Sequence, residues 1–410
     1  MPCVAVHPKK LKTSWFSRRN YINFGLTHKK GKQMKKCPNA QYCGGCSYQG
    51  IAYDKQLKIK QERIEELLSG FGNVSKIIGC KQPLNYRNKV QFSFGYDEDH
   101  KVISGYYLPK SHMIVPVKEC MIADEKINQI YASIRKIINR LHISIFDERV
   151  MKGCLRHLVI HGTSLGEYMV VLVSGSATLH KKEEFVKEIL KYNPEVKTII
   201  HNINNKRTST ILGSRNTVLY GKGYITDELC GLSFRISASS FYQVNRFQTS
   251  VLYETAIKAA ALTGNETLID AYCGTGTIGL VAANSAKKVF GVESNASAVK
   301  DAKLNMKLNQ IENAQFILED AGKYMDDLAK RKTHIDVLIM DPPRAGSDQR
   351  FLKSLIEMAP AKVVYVSCNP VTLKRDLQFL NRYYDVKMIQ PVDMFPFTDH
   401  IETVCSLYHR

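Results

Sequence analysis

The last third of the chain alternates short β-prone apolar runs with helix-patterned segments, and this alternation limits the possible folds more than any other feature. Runs at 267–272, 288–293, 315–318, 335–341, 362–367, 384–390 and 402–408 each read as a strand. Strands separated by helices do not pair as hairpins. They imply an α/β architecture, a doubly wound and mostly parallel sheet covered on both faces. Such a sheet binds its ligands beyond the carboxyl ends of its strands.

Two strand ends carry reactive residues. The stretch Lys362-Val363-Val364-Tyr365-Val366-Ser367-Cys368-Asn369-Pro370 runs from a buried strand into small polar residues, and a helix follows over 371–380. Its pattern turns Leu373, Leu377 and Leu380 inward and Thr372, Lys374 and Asp376 toward water. Cys368 therefore stands at a strand-to-helix corner, where a helix N-terminus is expected to lower a thiol pKa. A buried, inert cysteine would fit the same stretch. Phe395-Pro396-Phe397-Thr398-Asp399-His400-Ile401-Glu402 leads into the final strand, with His400 and Glu402 sharing one face. A partly buried carboxylate there suits proton transfer.

Leu268 to Gly279 reads as strand, glycine loop and helix, and it contains G-x-G-x-x-G. Glu293 ends the next strand, where a carboxylate can hold ribose hydroxyls. Nicotinamide enzymes share this pattern. Asp270 and the later Asp341-Pro342-Pro343-Arg344 favour S-adenosylmethionine, a sulfonium cofactor without a pyrophosphate. Methyltransferases that act on exocyclic amines place an aromatic residue after such a Pro-Pro pair, and Arg344 in that place argues against amine attack.

Upstream of this region the chain is basic. Its formal net charge is +20 over 410 residues, a surplus that favours a polyanionic partner, most plausibly nucleic acid. Residues 1–36 hold no acidic residue and interleave lysines and arginines with Trp15, Phe16, Tyr21 and Phe24, which suits phosphate contact plus base stacking; a disordered basic arm fits the same segment. No apolar run has the length of a membrane span and no signal core opens the chain, so the expected location is cytoplasmic. Cys37, Cys43 and Cys46 fall within ten residues of a glycine-containing loop and suit zinc or an iron–sulfur cluster. A fourth ligand must come from elsewhere, Cys120 first and Cys80 second. The rest of 37–235 patterns as an α+β recognition domain, with helices over 53–68, 126–141 and 183–192. Its strands fall at 90–94, from 105, and at 155–161, 168–173 and 196–203, and Arg87 and Lys89 precede the first, placed to meet a polyanion. The expected organisation is an arm (1–36), an iron–sulfur and RNA-recognition domain (37–235) and a methyltransferase domain (236–410).

Taken together, C-x5-C-x2-C at Cys37, Cys43 and Cys46, Phe241 to Asn245, Asp270 to Gly276, Asp341 to Arg344, Ser367 to Pro370 and His400-Ile401-Glu402 form a specific set. Over roughly 37–410 the chain resembles the iron–sulfur RNA uridine-5-methyltransferases, notably the 23S ribosomal RNA branch. The resemblance implies a class I Rossmann-like domain, Cys368 as nucleophile and Glu402 as base. It implies S-adenosylmethionine contacts from Gln243, Tyr272, Glu293 and Asp341, with Thr277 and Asp320 as weaker carry-overs. It also implies a [4Fe–4S] cluster on Cys37, Cys43, Cys46 and Cys120. Some members carry an N-terminal β-barrel for RNA binding, which 36 residues are too short to form. No membrane and no obligate protein partner is expected. The alternatives are the transfer RNA branch, whose members generally lack the four-cysteine cluster, and a catalytically inert RNA-binding assembly factor.

Overall fold

The computed structural model describes residues 37–109 and 111–410; the basic arm lies outside the described residues. Among these residues no helix is long and apolar enough to cross a membrane. The first sheet consists of β1 (Lys89–Tyr96), β2 (Val102–Tyr107), β3 (Ile114–Pro116), β4 (Leu155–Gly162), β5 (Tyr168–Ser174), β6 (Val196–Ile203) and β7 (Arg215–Gly221), in the order β3-β2-β1-β4-β5-β6-β7. All neighbours are antiparallel except β5 and β6, whose crossover carries a helix. Residues 105–107, which read as a strand opening, instead close β2.

Three helices accompany this part of the chain: α1 (Tyr53–Leu68), α2 (Glu125–Leu141) and α3 (Lys182–Tyr192). Strand periodicity explains how the sheet is shared between two cores. Leu158, Ile160, Val170 and Leu172 point to the face covered by Ile127, Ile134 and Ile138 of α2 and by Phe185 and Ile189 of α3. Val159, Met169, Val171 and Val173, one residue out of phase, point to the opposite face. There they meet the hairpin β8 (Tyr224–Leu229) and β9 (Leu232–Ser237) through Ile225, Phe234 and Ile236, which are contiguous with Leu268 and Val289 of the second sheet. β7, β8 and β9 are absent from the sequence reading. β7 is an almost wholly exposed edge strand and so lacks the apolar alternation that reveals strands.

The second sheet is β10 (Thr267–Ala271), β11 (Lys288–Glu293), β12 (Ala314–Leu318), β13 (Val337–Met340), β14 (Lys362–Ser367), β15 (Tyr384–Val392) and β16 (Glu402–His409). Its order is β12-β11-β10-β13-β14-β16-β15. The first five strands are parallel, and β16 is antiparallel to both of its neighbours. The helices α4 (Arg246–Ala260), α5 (Thr277–Ala283), α6 (Ala296–Leu308), α7 (Ala321–Lys330), α8 (Gln349–Met358) and α9 (Pro370–Leu380) cover it. This is the expected Rossmann-like methyltransferase sheet, and its order reverses beside β10, where ligands bind.

The expected boundary near residue 236 is crossed from the amino-terminal side. Ile64 and Leu68 of α1 and the following Ile77 are buried with Ile269, Leu338, Leu377 and Leu407. The strand-like 74–78 segment bridges β15 at Ile389 and Val392. A polar tie fastens this packing. Lys60 Nζ lies 2.6 Å from Asp393 Oδ1, both side chains fully buried, and the Tyr53 hydroxyl donates to Asp393 Oδ2 at 2.7 Å. Removing one partner of a buried ion pair strands the other charge in a low-dielectric interior. Lys60→Met should therefore cost about 3–5 kcal/mol in urea unfolding, and Lys60→Met/Asp393→Asn should recover part of the loss; native stability in the single variant would disprove the tie.

Candidate active site

The site forms where β10, β13, β14 and β16 end or begin on one side of the second sheet. After β10, Tyr272, Gly274 and Gly276 all take positive φ, which turns the chain sharply into α5. Gly276 also has no room for a side chain, because a Cβ would lie 2.6 Å from the Phe316 ring. Glu293, the last residue of β11, accepts Gly274 N–H at 3.1 Å and Asn295 N–H at 2.7 Å, which fixes the glycine turn against the neighbouring strand end. Beneath the turn, Asp270 accepts Gly279 N–H at 2.8 Å with one carboxyl oxygen, while its other oxygen has no partner. Burial pushes the Asp270 carboxyl up to about 8 against the lowering effect of that N–H.

The thiol and the carboxylate meet through strand register. Ser367 pairs with Thr403 across β14 and β16, so Cys368, one residue further, stands opposite Glu402. The flanking residues are scaffolding. Asn369 caps α9 by accepting Val371 N–H and donates its amide to Arg344 C=O at 2.9 Å. Pro370 occupies the first helical turn, where its missing N–H costs nothing. Arg344 in turn places Nη2 3.2 Å from His400 Nε2, closing a ring from the Pro-Pro-Arg loop to the C-terminal motif.

Electrostatics link the same groups. Burial, then the Glu402 and Asp341 charges, push the Cys368 thiol up to about 11, with Arg344 opposing. Glu402 is itself buried and pushed upward, first by desolvation and then by Asp341, and Asp341 is pushed upward by desolvation. This corrects the expectation of a thiol acidified by the α9 N-terminus, because burial beside two carboxyl groups outweighs a partial helix charge. A second correction concerns Asp376, expected in water. It is fully buried and accepts the Tyr365 hydroxyl at 2.6 Å and Ser347 N–H at 3.0 Å, so a polar partner inside the fold turned the residue inward.

The remaining cofactor candidates are placed unevenly. Tyr272 reaches Ser347 Oγ with its hydroxyl at 3.4 Å and packs its ring on Phe351. Gln243 is buried in the 240–245 segment, which Lys89 Nζ holds through Ser240 C=O and Asn88 N–H holds through Val244 C=O. Lys89 thus spends its ammonium on the fold rather than on a polyanion. Thr277 shares its hydroxyl with Tyr253 at 2.9 Å, and Asp320 caps α7 through Lys323 N–H. Asn369 stands in the Ser367 to Pro370 motif without an assigned role, and its tie to the Pro-Pro-Arg loop is a contact 25 residues away in sequence.

The cysteine loop lies beside this region. Asn39 latches it to Glu119 C=O at 2.7 Å, and Asn128 of α2 brackets Cys120, accepting its N–H and donating to its carbonyl. Burial and the charges of Cys120, Cys43 and Cys37 push the Cys46 thiol up to about 12. Cys46 and Cys120 pack against the same small cluster of Tyr86, Ile122 and Phe397. Among the described residues no group of three or more His, Cys, Asp or Glu is arranged tightly enough to hold a metal ion. Cys80 stands apart, against Asn245 and Gln82.

The sequence profile of the tRNA (uracil-5-)-methyltransferases matches residues 52–410. The chain belongs to that family. Relatives include RNA methyltransferases of Halalkalibacterium halodurans, 44% identical over 90% of this chain and 82% of that one, and of Caldanaerobacter subterraneus, 41% identical over 90% and 82%. Among solved structures, the Pyrococcus abyssi tRNA (uracil-54, C5)-methyltransferase in complex with S-adenosyl-L-homocysteine superposes with a TM-score of 0.74 at 28% identity, covering 89% of this chain and 86% of that one. This family member is accordingly an S-adenosylmethionine-dependent RNA (uracil-5-)-methyltransferase. The family match begins after the cysteine loop. Because Glu402 raises the Cys368 pKa, Glu402→Gln should lower it, and alkylation of Cys368 by iodoacetamide at pH 8, followed by peptide mass mapping, should accelerate several-fold; an unchanged rate would show that the two groups do not sense each other.

Proposed function

We propose that this enzyme methylates carbon 5 of a specific uridine in 23S ribosomal RNA through a covalent adduct on Cys368. The observation that carries the mechanism is the pairing of β14 with β16, which sets a thiol opposite a buried carboxyl group, with Asp341 close enough to perturb both. Carbon 5 of uracil is a weak nucleophile. Addition of the Cys368 sulfur to carbon 6 turns the ring into an enolate, and carbon 5 then becomes reactive. Asp341, with its raised proton affinity, takes the thiol proton. After methylation, Glu402 removes the proton from carbon 5, the carbon–sulfur bond breaks and Asp341 returns its proton to sulfur.

S-adenosylmethionine supplies the electrophilic methyl group when bound. Three inward carboxyl groups, Asp270, Asp341 and Glu402, against the single Arg344 favour a cationic ligand of that kind. Glu293 has lone pairs left for ribose hydroxyls beyond its two backbone contacts, Tyr272 stands in the same turn, and Gln243 is a further contact by family resemblance. The target base must leave its stack to reach Cys368, which suits a loop or remodelled helix of RNA.

Cys37, Cys43, Cys46 and Cys120 would hold a [4Fe–4S] cluster, read here as structural because the chemistry moves no electrons. Cys46 and Cys120 pack on the same small apolar group, and Cys43 and Cys46 both feel the charges of Cys37 and Cys120, a sulfur-rich setting that supports a soft cation among them. That cluster favours the ribosomal RNA reading. The likeness to a tRNA uracil methyltransferase supports the second reading, a uridine in transfer RNA. Mass-spectrometric mapping of 5-methyluridine in both RNAs from cells with and without the gene decides between them.

With 5-fluorouridine-containing RNA and S-adenosylmethionine, the native enzyme should form an adduct stable to denaturation, and Cys368→Ala should lose both adduct and turnover. Full activity in Cys368→Ala would end the nucleophile assignment, and tight binding without adduct would point to an inert factor. Anaerobic preparations should be brown, with about four irons and four sulfides per chain, and Cys46→Ser should lose the colour; a colourless native protein with stoichiometric zinc would overturn the cluster.

A further inference from the structure

Glu402 opens β16, and the chain that delivers it, 393–401, contains no helix or strand. Its backbone is held by elements hundreds of residues away. Gln56 of α1 accepts Phe397 N–H at 2.8 Å, and Lys60, one turn later, donates to Phe395 C=O at 3.1 Å while pairing with Asp393. The Tyr86 hydroxyl donates to Pro396 C=O at 3.1 Å, and the Asn245 amide donates to Met394 C=O at 2.9 Å. Phe397 takes a φ of 67°, a left-handed conformation that a bulky residue keeps only where its surroundings over-determine it.

Gln56 and Lys60 sit at i and i+4 on one face of α1, and both are fully buried. Burying a long polar side chain is unfavourable unless its hydrogen bonds are made, and those of Lys60, with the acceptor of Gln56, end on the 393–397 segment. The remaining Gln56 contact, from its amide to Ile51 C=O at 2.8 Å, orients the acceptor. Cys368 is held differently, by β14 and by the Asn369–Arg344 contact. Among the described residues, Gln56 and Lys60 make no hydrogen bond to the 367–370 corner, so their polar contacts act on the Glu402 side of the site.

We infer that Gln56 and Lys60 are positioning residues for Glu402, setting the rate of proton removal from carbon 5 without governing addition of the thiol. The inference rests on the reading of Cys368 as nucleophile and Glu402 as base. Loosening the α1 clamp slows the step after methyl transfer and leaves the adduct in place, so a covalent enzyme–RNA species accumulates even with ordinary uridine. Loss of stability alone would lower turnover without that species.

The test uses the full-length enzyme, S-adenosylmethionine and unmodified substrate RNA, with adduct measured on denaturing gels and the thermal midpoint measured in parallel. Gln56→Leu should lower turnover on the order of 10-fold or more and raise the adduct several-fold above native. Gln56→Glu, which keeps an acceptor for Phe397 N–H, should restore turnover toward the native rate. Native turnover in folded Gln56→Leu, or lost turnover without adduct, overturns the inference. If Gln56→Leu does not fold, Lys60→Met/Asp393→Asn takes its place under the same two outcomes. Glu402→Gln separates the levels. Adduct there but none in the clamp variants overturns the positioning role alone, whereas no adduct there, and none in native enzyme with 5-fluorouridine RNA, overturns the parent mechanism.

Discussion

The candidate site of this enzyme depends on the reversal of direction at the edge of its second sheet. Five parallel strands bring their carboxyl ends to one side, but a parallel neighbour to β14 would bring its own carboxyl end there as well. Because β16 runs the other way, its first residue, Glu402, arrives where β14 finishes. Antiparallel register then sets residue 402 against residue 368. The carboxyl group and the thiol come from different motifs, and their meeting is a product of backbone hydrogen bonding.

Burial governs how these groups behave. Asp270 and Glu402 lie out of water and Asp341 is partly buried, and all three hold protons more tightly than exposed carboxyls, while the Cys368 thiol is harder to ionise than a free one. Arg344 opposes that rise at both the thiol and Glu402. A thiol so placed needs a neighbouring proton acceptor before it can act as a nucleophile.

Much of this was legible in the chain, and the failures have physical causes. The strands of the parallel core announce themselves because both faces are buried and their residues are almost all apolar, as in Val363 to Val366. The Ser367 to Pro370 corner and the glycine turn were equally plain, since few residue types meet their backbone demands. β7 was invisible because exposure removes the pattern. Asp376 was misjudged because helical periodicity counts a carboxylate as a surface residue, whereas Tyr365 and Ser347 offer it partners inside. The thiol pKa was misjudged because the helix end is local, while the carboxyl groups that outweigh it come from 27 and 34 residues away in sequence and are brought close by the sheet. The α1 clamp left no signal at all, since a glutamine and a lysine four apart on a helix look like solvated residues until their partners are known.

By itself, then, the sequence determined the element types, the strand-to-helix corners and the kinds of reactive group present, because those follow from local sterics and periodicity. The tertiary structure decided which groups meet, how far each is removed from water and which distant residues hold the 393–401 segment in place. Those properties depend on contacts between residues as far apart as Lys60 and Asp393, 333 positions along the chain, and on the low dielectric that only a packed interior provides.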